Sequence, residues 1–129
     1  MNIRIKRVYE PPAVEDGFRV LVDRLWPRGL KKSAAALDAW RKDMAPSDAL
    51  RRWFGHDPSR WEAFRRRYEA ELEANPEGVR WLLEQAQRGR LTLCYSAKDA
   101  EHNQAVVLRD YLLRKALEKP QCGYSASRL

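Results

Sequence analysis

Residues 95–103 read YSAKDAEHN and bring a lysine, an aspartate, a histidine and an asparagine into one short connection. A plain turn between an apolar strand and an apolar helix needs only Gly, Asn or Pro. Lys98, Asp99, His102 and Asn103 are therefore candidates for chemistry. The helix that follows offers free N–H groups and a positive dipole end at its start, and both favour an anion. Lys98 adds a point charge, and His102 a donor set by its protonation. A second group, DRLWPRG at residues 23–29, leaves another apolar run. There Arg24 and Arg28 flank Trp26-Pro27, and a planar guanidinium suits bidentate contact with phosphate or carboxylate. If a reaction follows binding, His102 is the candidate general acid or base, with Asp99 or Asp23 orienting it. Enzyme and binding protein both stand at this point.

Plain structural readings compete for the same residues. Asp99 and Asn103 serve as ordinary caps, while Lys98 and His102 sit exposed in a loop. Asp23 pairs with an arginine across the sheet end, and Trp26 plugs the core. Other chemistries find less support. The loop lacks the glycines with which a P-loop wraps phosphate. His56-Asp57 is a weak metal signal in a chain with two histidines, so neither a metal nor a cofactor is expected. Ser47 or Ser96 could join a His-Asp pair on paper, but no nucleophile-elbow sequence accompanies them. The RRR run at 65–67 reads as a solvated helix face.

Positioning these groups requires strands that end where they begin. IRIKRVY at 3–9 alternates apolar and basic residues, as a strand with one solvated face does. The prolines and glycine of EPPAVEDG force a loop, and FRVLVDRL at 18–25 is a second strand. In it Phe18, Val20 and Val22 share one face, and Leu21 and Leu25 help to bury the other. Residues 33–89 read as helices. Ser33 caps AAALDAWRKDM, Ser47 caps DALRRWF, and Ser59 with Glu62 forms a capping box. That box opens a helix with Trp61, Phe64, Tyr68 and Leu72 on one stripe. Asn75-Pro76 starts the next helix and Gly89 stops it. LTLCYS at 91–96 is a third strand, and QAVVLRDYLLRKALEK a last helix capped by Asn103 or Asp99 and ended by Pro120.

Strands separated by helices imply an α/β fold: a small, mainly parallel sheet of at least three strands, flanked by helices in Rossmann-like layers. An edge strand beyond the three legible ones is allowed, and strand order stays open. In such sheets ligands bind outside the carboxyl ends of the strands, where both candidate groups fall.

The chain has 129 residues, enough for one domain (1–119) with a C-terminal tail (120–129). No run is long and apolar enough for a membrane span, and the alternating N-terminus is unlike a signal peptide, so a cytoplasmic protein is expected. Cys94 and Cys122 read as free thiols, the former buried in its strand. The formal charge of +7 is spread along the chain. It makes nucleic acid a possible partner without pointing to one patch.

VLVDRLWPRG, DAWRKDMAPS, LRRWFGHDPSRWEAFRRRYEAEL and TLCYSAKDAEHN occur in this order. Together they resemble the YeaO-like subgroup of domain-of-unknown-function family 488, over about residues 3–119. The resemblance implies a small cytoplasmic bacterial α/β protein. It also places Trp40, Lys42, Ser47, Trp53, His56, Trp61 and Tyr68 in the family pattern, the aromatics suiting a core and Lys42, Ser47 and His56 the cleft. Ser33 stands where subgroup members often carry an acid, and Gln104 where they often carry a second histidine. The broader family often has Cys and Arg around the position of His102, which here lies between Glu101 and Asn103; this argues against a thiolate mechanism there.

The expected function is a pocket at the strand carboxyl ends for a small anionic or phosphorylated ligand. Arg24, Trp26, Arg28, Lys98, His102 and Asn103 would contact it, with Lys42, Ser47 and His56 as further candidates. Two alternatives are a nucleic-acid-binding module and a protein-interaction domain using the helix face near Arg65–Arg67.

Overall fold

The computed structural model describes residues 1–118. Four strands form one sheet: β1 (Ile3–Arg7), β2 (Phe18–Leu21), β3 (Ala39–Trp40) and β4 (Leu91–Tyr95), in the order β1-β4-β2-β3. Every pairing is parallel, with Ile3 opposite Leu91, Phe18 opposite Leu91 and Val20 opposite Ala39. All four carboxyl ends therefore open on one edge. Among the described residues, five α-helices accompany the sheet: α1 (Lys32–Ala35), α2 (Asp48–Phe54), α3 (Trp61–Glu73), α4 (Pro76–Arg88) and α5 (Gln104–Glu118).

Period-2 alternation sorts the strand side chains onto two faces. Val20, Val22, Leu91, Leu93 and Tyr95 enter the main core with Tyr68, Leu72, Leu82, Leu108 and Leu112 from α3, α4 and α5. The other face buries Leu21, Cys94 and Val8 under Trp26, Leu30, Leu37 and Trp40. Farther along that face, Asp16 meets Arg19 at 2.6 Å and Lys6 at 3.0 Å. Cys94 is a free, buried thiol whose pKa burial pushes up to about 11. Cys122, the tail at 120–129 and the helix stop at Pro120 lie outside the described residues.

The structure supplies the strand order that the sequence left open, and the layered α/β architecture with a mainly parallel sheet stands as read from sequence. So do the cap at Ser47, which accepts from Leu50 N, and the cap at Asn75, which accepts from Gly78 N. Gly89 follows α4 directly.

The helix expected from Ser33 through Met44 does not form. After the single turn of α1, Ala36 adopts a left-handed conformation (φ 49°) and the chain becomes the edge strand β3. Backbone pairing explains the outcome. Arg41 N reaches Leu21 O at 2.9 Å, Asp38 N reaches Arg19 O at 2.8 Å, and the Asp38 carboxylate accepts from Arg19 N. The open edge of β2 needs these partners, and that need overrides alanine's helix propensity. Nor does the Ser59–Glu62 capping box form. Asp57 caps a 3-10 turn at Pro58–Arg60, accepting from the amide and hydroxyl of Ser59, and α3 continues from that turn. Strand β2 ends at Leu21 rather than Leu25, and Leu25 is 61% exposed instead of buried. The 65–67 run is not simply solvated either, since Arg65 and Arg67 lie over the rings of Trp61 and Trp53.

Candidate functional site

The parallel strands deliver three segments to one edge: Arg7–Tyr9 after β1, Asp23–Arg28 after β2 and Ser96–Asn103 after β4. With the end of α2 they enclose a cleft of about 1060 Å³. Asp23 ties its floor together. Its carboxylate accepts from the Ser96 amide at 3.2 Å, the Ser96 hydroxyl and the Gln104 side-chain amide. The group is 8% exposed, and burial pushes its pKa above the usual carboxylate value despite those three donors. Among the described residues, no arginine pairs with it. Asp23 thus joins the ends of β2 and β4 to the start of α5.

Arg24 donates through Nε to Pro46 O at 2.9 Å and through Nη2 to Ala45 O at 3.4 Å. The accepting segment is itself clamped. Tyr68 donates its hydroxyl to Met44 O, and Glu71 accepts from the amide and hydroxyl of Ser47 at 2.7 and 2.6 Å. Arg7 is held in the same manner, its Nε donating to Ser96 O at 3.2 Å and Ala97 O at 3.1 Å. Its guanidinium lies 4.7 Å from the Tyr9 ring centre, and the Tyr9 hydroxyl donates to Arg28 O at 2.7 Å. Backbone carbonyls fix both guanidinium groups without cancelling their charge. Among the described residues, Arg7, Arg24, Arg28 and Lys98 have no carboxylate within 4.0 Å. Arg51 and Arg52 share Asp48 at 2.7 and 2.8 Å. The cleft is lined by Arg7, Arg24, Arg28, Arg51, Arg52 and Lys98 against the carboxylates of Asp23 and Asp99, and even with Asp48 beside Arg51 and Arg52 its cations outnumber its carboxylates.

Asp99 organises the 96–103 loop. Its Oδ1 accepts from the amides of Glu101 and His102, and those bonds hold its pKa below the usual carboxylate value. Its Oδ2 lies 3.0 Å from His102 Nδ1, and the His102 ring packs edge-on against Trp61 with centres 5.1 Å apart. Asn103, 2% exposed, caps α5 by accepting from Val106 N and donates to Asp99 O at 2.8 Å. His56 projects from the turn after α2 in a left-handed conformation (φ 59°), one that L-residues adopt at some cost.

The cleft gathers Asp23, Arg24, Trp26, Arg28, His56, Lys98, Asp99, His102 and Asn103. Trp26 forms one of its walls while donating Nε1 to Leu30 O and meeting Trp40 edge-on. Lys42 and Ser47 are not brought in. The Lys42 ammonium lies 4.4 Å from the Trp40 ring centre, and Ser47 caps α2 beneath Glu71. Arg7, Tyr9, Arg51 and Arg52 line the cleft without having been singled out in sequence, and Ser96 and Gln104, not named there as ligand contacts, line it too. Arg7 and Tyr9 carried a usable signal, because they end a strand whose carboxyl end meets the same edge.

The sequence is 47% identical over 112 residues to the uncharacterized protein YeaO of Escherichia coli (strain K12), covering 87% of this chain and 97% of that protein. Uncharacterized proteins of Mycobacterium bovis and Mycobacterium tuberculosis are 48% identical over 71 residues, or 55% of this chain and 60% of each. No solved structure gives a significant match. Residues 2–128 match the family described as the inactive DUF488-N3 subclade. The chain belongs to that DUF488 subclade, in its YeaO-like branch.

Proposed function

We propose that this protein binds a small anionic or phosphorylated ligand in the cleft at the strand carboxyl ends. The observation that carries this reading is the anchoring of Arg7 and Arg24 to backbone carbonyls. Among the described residues, no carboxylate lies within 4.0 Å of either charge. An ion-paired arginine would have to give up a partner to take a ligand; these two would not. Arg28 and Lys98 add charge at the rim, and His102, oriented by Asp99, contributes a polar contact. The family description as inactive fits binding without turnover. Asp23, Ser96 and Gln104 hold the floor, with the Asp23 carboxylate taking its donors from the other two.

The test is calorimetric titration with ribose 5-phosphate at low and high salt, for wild type and Arg24→Ala. The reading predicts one saturable site that survives high salt and weakens on the order of tenfold or more in the variant, as loss of a charge-assisted contact implies. Binding confined to low salt, shown equally by the variant, would assign the charge to general polyanion attraction instead.

A further inference from the structure

We infer that the ligand of this cleft is a phosphomonoester carrying a flat aromatic ring, the chemistry of a nucleoside monophosphate. The inference rests on the anion-binding reading above and adds what the rest of the ligand must be. A bare oxyanion leaves most of the cleft empty. Its volume of about 1060 Å³ lies just above the roughly 300–1,000 Å³ typical of sites for organic ligands.

The lining between the cations is apolar. Leu25 is 61% exposed and Tyr9 39% exposed, and both belong to the cleft wall. Neither position is a random surface hydrophobe. Leu25 sits between Arg24 and Trp26 in the segment leaving β2, where neither β-sheet pairing nor core packing requires an apolar side chain. The half-buried Trp26 extends that wall, with its indole held by its bond to Leu30 O and its edge contact with Trp40. Tyr9 adjoins the same segment and is fixed at both ends, by Arg7 over its ring and by Arg28 O at its hydroxyl.

The site therefore sets apolar side chains, two of them rings held in place, beside anchored positive charge. A sugar phosphate would satisfy the charge and leave the apolar side chains in water. A ring joined to a phosphate would cover both, and stacking tolerates any flat base. A free phosphate group and a strand of nucleic acid share part of this chemistry, so the probes must separate them.

The experiment compares inorganic phosphate, ribose 5-phosphate, adenosine, adenosine monophosphate and a single-stranded oligoribonucleotide by calorimetry. Wild type, Leu25→Ser and Arg24→Ala are titrated with each at high salt. Leu25 is exposed, so its replacement leaves the fold intact. The expected result is that adenosine monophosphate binds on the order of tenfold tighter than ribose 5-phosphate. Leu25→Ser should shrink that ratio while leaving ribose 5-phosphate affinity unchanged, and Arg24→Ala should weaken both. Equal affinities for the two phosphates, both lost in Arg24→Ala, would overturn the ring inference and leave the anion site standing. Binding of the oligomer alone would overturn both readings in favour of a polyanion surface. No binding by any probe would also overturn both.

Discussion

Asp23→Ala tests how the cleft is held open. The wild-type carboxylate takes three donors from two elements: the amide and hydroxyl of Ser96 and the side-chain amide of Gln104. Removing it leaves those donors without an acceptor beside a buried position. An unsatisfied buried donor costs roughly 1–3 kcal/mol, and the half-buried Ser96 and Gln104 fall at the low end because water can reach them. Relief of the buried charge offsets part of the loss. The net expectation is a destabilisation of about 2–3 kcal/mol. Asp23→Asn keeps the shape and one acceptor oxygen, and Gln104 can turn its amide oxygen toward the new NH₂ group, so a loss under about 1.5 kcal/mol is expected. The pH dependence has a definite sign. Burial raises the folded pKa above the unfolded value of 3.8, so the folded state holds the proton more tightly. Ionisation then penalises folding: the penalty is absent below the unfolded pKa and grows as pH rises through the folded one. Wild type should lose stability relative to Asp23→Asn as pH rises from about 3.8 through the raised folded pKa, and no further above it. Urea unfolding followed by tryptophan fluorescence measures all three quantities. Asp23→Ala within about 0.5 kcal/mol of wild type, below the effect of a single lost buried bond, would refute the linking role. So would Asn proving worse than Ala.

Other perturbations separate scaffold from site. Arg24→Lys keeps the charge but cannot reproduce the paired anchoring to Ala45 and Pro46 carbonyls, so phosphate affinity by calorimetry should fall roughly fivefold to tenfold with little change in urea midpoint. His56→Gly should gain up to about 1 kcal/mol in urea unfolding by relieving a left-handed residue, while weakening ligand affinity. Asp16→Asn should lose about 3 kcal/mol by leaving the buried Arg19 without its carboxylate. Burial acts to raise the Asp16 pKa, but the Ala13 amide, Lys6 and Arg19 outweigh it and hold it below 3.8. Its stabilising contribution is therefore present above that pH and lost as pH falls through the lowered folded pKa, which acid unfolding of wild type and variant will show. Gly17→Ala should lose more than about 2 kcal/mol in thermal unfolding, since φ is +67° and a Cβ would meet Arg90 O at 2.4 Å.

What the sequence disclosed depended on the range of the cause. Local causes were legible. The Ser47 and Asn75 caps, the stripe Phe64–Tyr68–Leu72 and the alternation of β1 and β4 each arise within a few residues. The edge strand β3 was hidden because Leu37, Trp40 and Met44 keep helical spacing. Only the distant edge of β2 turns that segment into a strand, and the 33–44 helix was expected in its place. The cleft was half legible for the same reason. Arg24, Arg28, Lys98 and His102 stand beside turns that announce themselves. Arg7 joins them only once β1 lies against β4, and Arg51 and Arg52 only once α2 is clamped by Glu71 and Tyr68. Lys42 and Ser47 sit near the cleft in sequence terms, but Trp40 and Glu71 hold them elsewhere.

The most direct test of the central claim is an amide NMR titration of labelled protein with inorganic phosphate and adenosine monophosphate at two salt concentrations. A binding cleft at the strand carboxyl ends predicts saturable shifts confined to residues 7–9, 24–28, 51–56 and 96–104 that persist at high salt. Weak shifts scattered over the basic surface and vanishing in salt would contradict it.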